Sequence, residues 1–210
     1  FQKTYGNKPG HPVLTVLDST HPAAVAEVEA GLDLSRTLFV VSSKSGTTLE
    51  PLLFFRYFWA KLSRMTDSPG RQFIAITDPG TPLLDLARHR KFQQTFLARP
   101  DVGGRYSAFT EFGLVPAAII GLDIRRLLDQ AKVSAEANAS KSAALEAPGL
   151  RLAAALGEAA LAGRDKLTFL TAPSLRAFPD WLEQLVAEST GKDGKGIVPI
   201  AGESLVEPNG

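Results

Sequence analysis

The sequence predicts an α/β fold: a parallel sheet covered by helices, then a helical connector, then the start of a second α/β unit. Three observations carry this. The run "RTLFVVSS" is a continuous apolar run of the parallel-sheet type, and "RQFIAIT" and "FQQTFLA" read as further short strands. Segments with apolar residues at helical spacing lie between them. From Thr110 the chain turns alanine- and leucine-rich, and strand-like runs resume only at "DKLTFLTAP".

Taken in order, "HPVLTVLDST" reads as a short buried strand from about Val13 to Leu17, stopped by Asp18, Ser19 and Thr20. "HPAAVAEVEAGL" follows as a helix with Pro22 in its first turn, where a missing N–H is harmless. After the strand "RTLFVVSS", Thr47 to Met65 reads as a long apolar helix. "RQFIAIT" is the third strand, "DPGTPLLDLARHRK" a turn and helix, and "FQQTFLA" the fourth strand, running into the glycine-rich "RPDVGGRYS". Beyond Thr110 the connector reads as helical, broken at Pro116 and at Ala147–Gly149. "DKLTFLTAP", "LRAFPDWLEQLVAEST" and "GKGIVPI" then give strand, helix and strand. The expected domains are residues 1–109, a connector over 110–163, and the beginning of a second domain over 164–210. The start "FQKTYGNKPG" has neither initiator Met nor a signal-peptide pattern, and "GESLVEPNG" ends in loop-like sequence, so a piece of a longer chain is expected.

Composition narrows the function classes. Of the 210 residues 44% are hydrophobic and 21% charged, with a formal net charge of +1. So even a balance argues against a nucleic-acid surface or a polybasic membrane anchor. The chain has no cysteine, which removes disulfides, thiolate catalysis and cysteine-bound zinc and suits a cytoplasmic home. No apolar run reaches the length of a membrane span. His11, His21 and His89 have no second ligand at metal-binding spacing, so neither metal nor cofactor is expected.

Chemistry concentrates in three places. Ser43-Lys44-Ser45-Gly46-Thr47-Thr48 stands where a strand becomes a helix. A helix N-terminus presents unpaired N–H groups and a positive dipole end, and hydroxyls around it can donate further bonds to an anion. Plain N-capping by Ser45 or Thr47 uses one hydroxyl and leaves the others unexplained, so a phosphate cradle is the better reading. Gly46 would let the backbone approach closely. The second place is Gly103-Gly104-Arg105-Tyr106-Ser107, where two glycines permit a tight turn and Arg105 could aim a cation into the same crevice; spacing alone fits a solvated surface loop equally well. The third is "EQLVAESTGK", where Glu183 or Glu188 could act as a general base or be a solvated helix-end carboxylate.

Together, "SSKSGTTLE", "DVGGRYSAFTEFGL" and "WLEQLVAESTGKDGKG", in this order and at these spacings, make the chain resemble the phosphoglucose isomerase family, and within it the isomerase half of bifunctional transaldolase/phosphoglucose isomerases. The Gly-Gly-Arg-Tyr-Ser motif is the specific one; a Ser/Thr-rich loop alone occurs in many sugar-phosphate-binding (SIS-type) domains. The resemblance implies two SIS-type three-layer α/β sandwiches, with the active site between them and across a homodimer interface in the full-length protein. It implies a cytoplasmic, cofactor-free enzyme of glycolysis and gluconeogenesis that interconverts glucose 6-phosphate and fructose 6-phosphate. Ser43, Ser45 and Thr48 would bind the hexose 6-phosphate through hydroxyls and Lys44 chiefly through its backbone N–H, with Thr47 a lesser contributor. Gly103 and Gly104 would shape the loop that presents Arg105 to the enediolate oxygens, and Glu188 would be the base. A non-catalytic SIS-type regulator and an isomerase of another hexose phosphate are the competing readings. The family's Gly-Ser phosphate loop before the first motif has no counterpart in residues 1–38, its ring-opening His and C-terminal Lys have no matching context, and Pro51 stands where many relatives carry Thr. The resemblance thus implies a central segment of the enzyme, weak in sugar-phosphate binding and poor in catalysis when isolated.

Overall fold

The computed structural model describes residues 1–139 and 147–203. Part of the connector (140–146) and the loop-like end (204–210) lie outside the described residues. In chain order the elements are α1 (Gln2–Tyr5), α2 (Pro22–Ala30), β1 (Phe39–Ser42), α3 (Leu49–Leu62), β2 (Phe73–Thr77), α4 (Pro82–His89), β3 (Gln94–Leu97), α5 (Glu111–Ile119), α6 (Ile124–Ala139), α7 (Pro148–Leu161), β4 (Lys166–Thr168), α8 (Phe178–Thr190) and β5 (Val198–Ile200). They form two compact units, residues 12–119 and residues 1–11 with 120–210.

In the 12–119 unit the sheet order is β1-β2-β3, all parallel. Two successive right-handed crossovers in one direction place their helices on one face. The core shows this. Phe39 and Val41 of β1 and Phe73 and Ala75 of β2 share a face, packed on Phe55, Phe58 and Leu62 of α3 and Leu83 and Ala87 of α4. Phe73 is fully buried, with the rings of Phe39, Phe55, Phe92 and Trp59 at centroid distances of 5.1, 5.3, 5.2 and 5.6 Å. Burying one such side chain contributes roughly 1.5–3 kcal/mol. Ile74 and Ile76 alternate to the opposite face, and α5 packs against β2 outside this cluster.

Two expectations are corrected. Val13–Leu17 forms no strand: Val13 and Val16 are 80% and 66% exposed, and only Leu17 packs on the core. An apolar β-branched run has the propensity, but a strand also needs a partner strand, and among the described residues this run enters neither sheet. Nor does Pro116 break the connector: it sits inside α5. In a nine-residue helix it sacrifices one ladder bond, that to the Phe112 carbonyl. What α5 does need is Gly113, where a Cβ would lie 2.1 Å from the Ala108 carbonyl oxygen of the preceding 3-10 turn, Gly104–Phe109.

In the other unit β4 and β5 pair in parallel, joined through α8, a complete strand–helix–strand crossover. α6 packs on α7, and α1 on the 3-10 turn Pro173–Leu175. The "GKDGKG" stretch is a tight turn closed by a backbone bridge between Lys192 and Lys195.

Candidate functional site

Parallel strands bring their carboxyl ends to one edge, and there three loops of the 12–119 unit meet. The ladder continues past the strand ends: Ser43 N–H donates to the Ile76 carbonyl (3.0 Å), Asp78 N–H to that of Lys44 (3.3 Å) and Ala98 N–H to that of Thr77 (2.9 Å). The loop after β1 is therefore held against the loop after β2, and that in turn against the loop after β3.

The hydroxyls of the first loop bond chiefly to one another. Ser43 is buried; its Oγ lies 2.8 Å from Thr48 Oγ1 and accepts from Gly46 N–H at 3.1 Å. Ser45 Oγ is 2.9 Å from Thr47 Oγ1 and accepts from Thr47 N–H, and both residues are exposed. Thr48 is the N-cap of α3, yet no side chain caps the helix. Neither Ser45 nor Thr47 takes the capping role that the plain reading would give it, and the helix start keeps its positive end for another acceptor.

Gly46 adopts a left-handed backbone (φ 69°), and a Cβ there would lie 2.8 Å from both Leu83 N and Thr81 Cβ. The close approach expected at this glycine is to the start of α4. Lys44 turns its ammonium to Asp78 Oδ2 at 2.5 Å and to the carbonyls of Arg99 (3.4 Å) and Pro100 (3.3 Å).

An open cleft of about 380 Å³ lies at this edge, lined by Ser42, Ser43, Lys44, Thr48, Gly104, Ser107 and Phe112. The structure thus brings Ser43, Lys44 and Thr48 of the first motif together with Gly104 of the second. Ser45, Thr47, Gly103 and Arg105 are not in this lining. Arg105 is partly buried in the 3-10 turn Gly104–Phe109. That turn is fixed by Ser107 Oγ donating to the Gly104 carbonyl (2.6 Å) and Thr110 Oγ1 donating to that of Ser107 (2.7 Å). Just before it, Arg99 grips Asp101 through two bonds of 3.0 and 2.8 Å, which hold the Asp101 carboxyl below its ordinary range.

Glu188 belongs to the other unit, in the last turn of α8, where it is exposed and accepts from Gln184 Nε2 at 3.4 Å. The helix end is tied down next to it. Thr190 Oγ1 donates to the Val186 carbonyl (2.8 Å) and accepts from Ile197 N–H (3.0 Å). His21 has a structural task, its Nδ1 accepting from Ala23 N–H at the start of α2. Among the described residues no group of three His, Cys, Asp or Glu comes together to hold a metal ion, and no helix is long and apolar enough to cross a membrane.

Sequence reasoning missed Asp78 as a member of this edge and, although Ser107 stands in the second motif, gave it no role of its own. Asp78 directly follows a buried strand, where loops of parallel sheets build sites, and that position was its available signal. Ser107 is three residues beyond Gly104, one turn of a 3-10 helix.

Comparison with known proteins bears on the whole arrangement. Residues 3–200 match the family model described as "Phosphoglucose isomerase". A glucose-6-phosphate isomerase of Heliobacterium modesticaldum is 35% identical over 197 residues, which are 92% of this chain and 44% of that protein. One from Enterococcus faecalis is 32% identical, over 89% of this chain and 42% of its own length. Among solved structures, a glucose-6-phosphate isomerase from Chlamydia trachomatis superposes with a TM-score of 0.72 at 28% identity, over 88% of this chain and 38% of its own. A hypothetical protein from Thermus thermophilus superposes with a TM-score of 0.79 at 29% identity, over 89% and 46%. The chain spans less than half the length of these relatives, and it belongs to the phosphoglucose isomerase family.

Proposed function

We propose that this chain is the central part of an enzyme that interconverts glucose 6-phosphate and fructose 6-phosphate by moving a proton between C1 and C2. The observation that carries the reading is the cleft in which Ser43, Lys44 and Thr48 meet Gly104 and Ser107 at the carboxyl end of the sheet. An uncapped helix start, a left-handed glycine and several hydroxyls suit a phosphate dianion. In this reading Ser43, Ser45, Thr47 and Thr48 contribute hydroxyls and Lys44 its backbone N–H. The phosphate is remote from the reacting carbons, so gripping it positions them. Glu188 takes the proton from one carbon and returns it to the next, and Arg105, presented by Gly103 and Gly104, stabilises the enediolate oxygens.

The full-length protein would act as a cytoplasmic homodimer, with residues 164–210 opening a second SIS-type domain. Whether a transaldolase domain precedes it is tested by reading the coding sequence upstream of Phe1. The decisive experiment is turnover of fructose 6-phosphate by the natural full-length chain and its Glu188→Gln variant. A fall of roughly 10²–10⁴-fold, with sugar-phosphate binding retained, is expected for loss of a general base. A parent that binds hexose phosphates without turnover would make the protein a sugar-phosphate-binding regulator instead.

A further inference from the structure

We infer that Asp78 is a positioning residue for the phosphate loop: by clamping Lys44 at both ends it holds the backbone of residues 43–48 in an anion-binding conformation. The inference rests on the phosphate reading of that loop and adds a residue to it. The register of the sheet makes the clamp possible. Ser42 of β1 pairs with Ile76 of β2, and Lys44 and Asp78 each stand two residues past that pair. Asp78 then grips Lys44 twice. Its N–H donates to the Lys44 carbonyl, and its Oδ2 accepts from the Lys44 ammonium at 2.5 Å. The hydroxyl of Thr77, 3.4 Å away, also donates to the Lys44 carbonyl.

The remaining bonds of the ammonium identify the task. A lysine ammonium has three donors, and the acceptors here are Asp78 Oδ2 and the carbonyls of Arg99 and Pro100. With all three engaged inward, the side chain of Lys44 serves as an anchor across three loops, leaving its backbone N–H to the anion. Asp78 is not arranged for stability alone. Its side chain is 14% exposed, and Oδ1 is buried with no hydrogen-bond partner among the described residues. The Lys44 side chain is 29% exposed, and a partly buried ion pair with an unsatisfied oxygen gains little net stability. What it does supply is geometry: a cradle of N–H groups binds well only when it need not be ordered by the ligand.

The test uses the natural full-length enzyme, with inorganic phosphate as a competitive inhibitor and fructose 6-phosphate as substrate. Asp78→Asn keeps an oxygen that can accept from the Lys44 ammonium but removes the carboxylate's charge, and should raise the phosphate Ki and the substrate KM together by about tenfold or more, with kcat held within about threefold. Asp78→Glu should recover most of both. If Asp78→Asn does not fold, the double variant Lys44→Met/Asp78→Leu, which leaves neither charge buried alone, should fold and show the same rise. Unchanged Ki and KM in a folded variant overturn the inference, as does a fall in kcat without a rise in Ki. A parent enzyme that inorganic phosphate does not inhibit, and whose KM is indifferent to Ser43→Ala, overturns the phosphate reading itself and this inference with it.

Discussion

The two parallel sheets of this chain rest on unequal foundations. In β1-β2-β3 the central strand is buried at every residue from Phe73 to Thr77, with α3 and α4 packed over one face. In β4-β5 no residue is fully buried, and α8 buries only Pro179. The physical difference is strand number: a three-stranded sheet has an interior strand shielded along both edges, whereas in a two-stranded sheet both strands are edges. The consequence for the site follows directly. The Ser/Thr loop stands on a packed platform and is bonded to two neighbouring loops, as the proposed phosphate grip requires. Glu188 stands on an exposed helix end whose own unit supplies little burial.

This contrast can be broken at its core first. Phe73→Ala should destabilise the 12–119 unit by roughly 3–5 kcal/mol, read by chemical denaturation, because four rings lose their common contact. Trp181→Ala in α8, where the ring is 37% exposed, should cost well under half as much. A comparable loss at both positions would show that the two foundations are equal after all. Gly46→Ala comes next. A left-handed backbone and a 2.8 Å approach to Thr81 and Leu83 should cost roughly 1–3 kcal/mol and weaken phosphate inhibition, with thermal denaturation and Ki measured on one preparation. Hydrogen exchange sharpens the comparison without mutation. Amides of β2 should exchange at least about tenfold more slowly than those of β4 and β5, and equal protection would contradict the argument from strand number.

The smallest effect concerns the surface of the first unit. The Lys61 ammonium and the Tyr57 hydroxyl, both bonded to Glu29, hold its carboxyl below the ordinary range. A depressed folded-state pKa contributes stability that is present above the unfolded pKa, about 4.3, and lost as pH falls through the folded one. Glu29→Gln should therefore flatten slightly the fall of Tm on acidification and leave phosphate inhibition unchanged. A steeper fall would reverse the sign of this assignment.

Much of this architecture is legible in residues alone. The apolar runs of β1 and β2 read as strands of a parallel sheet, and β2 is buried throughout, whereas β3 carries Gln94 and Thr95 and is exposed at both ends. The crowding of hydroxyls between Ser43 and Thr48 marked the strand-to-helix junction, and local chemistry was enough to suggest an anion there. What tertiary structure decided is everything that depends on a partner distant in sequence. Val13–Leu17 has a strand's composition but enters neither sheet among the described residues, and Pro116 sits inside α5 rather than ending it. Lys44 and Asp78 are 34 residues apart, and nothing local to either announces the other. They meet because β1 and β2 pair with Ser42 opposite Ile76, and a shift of one residue would separate them. Sequence determines which residues want burial or an anion; register determines which of them meet.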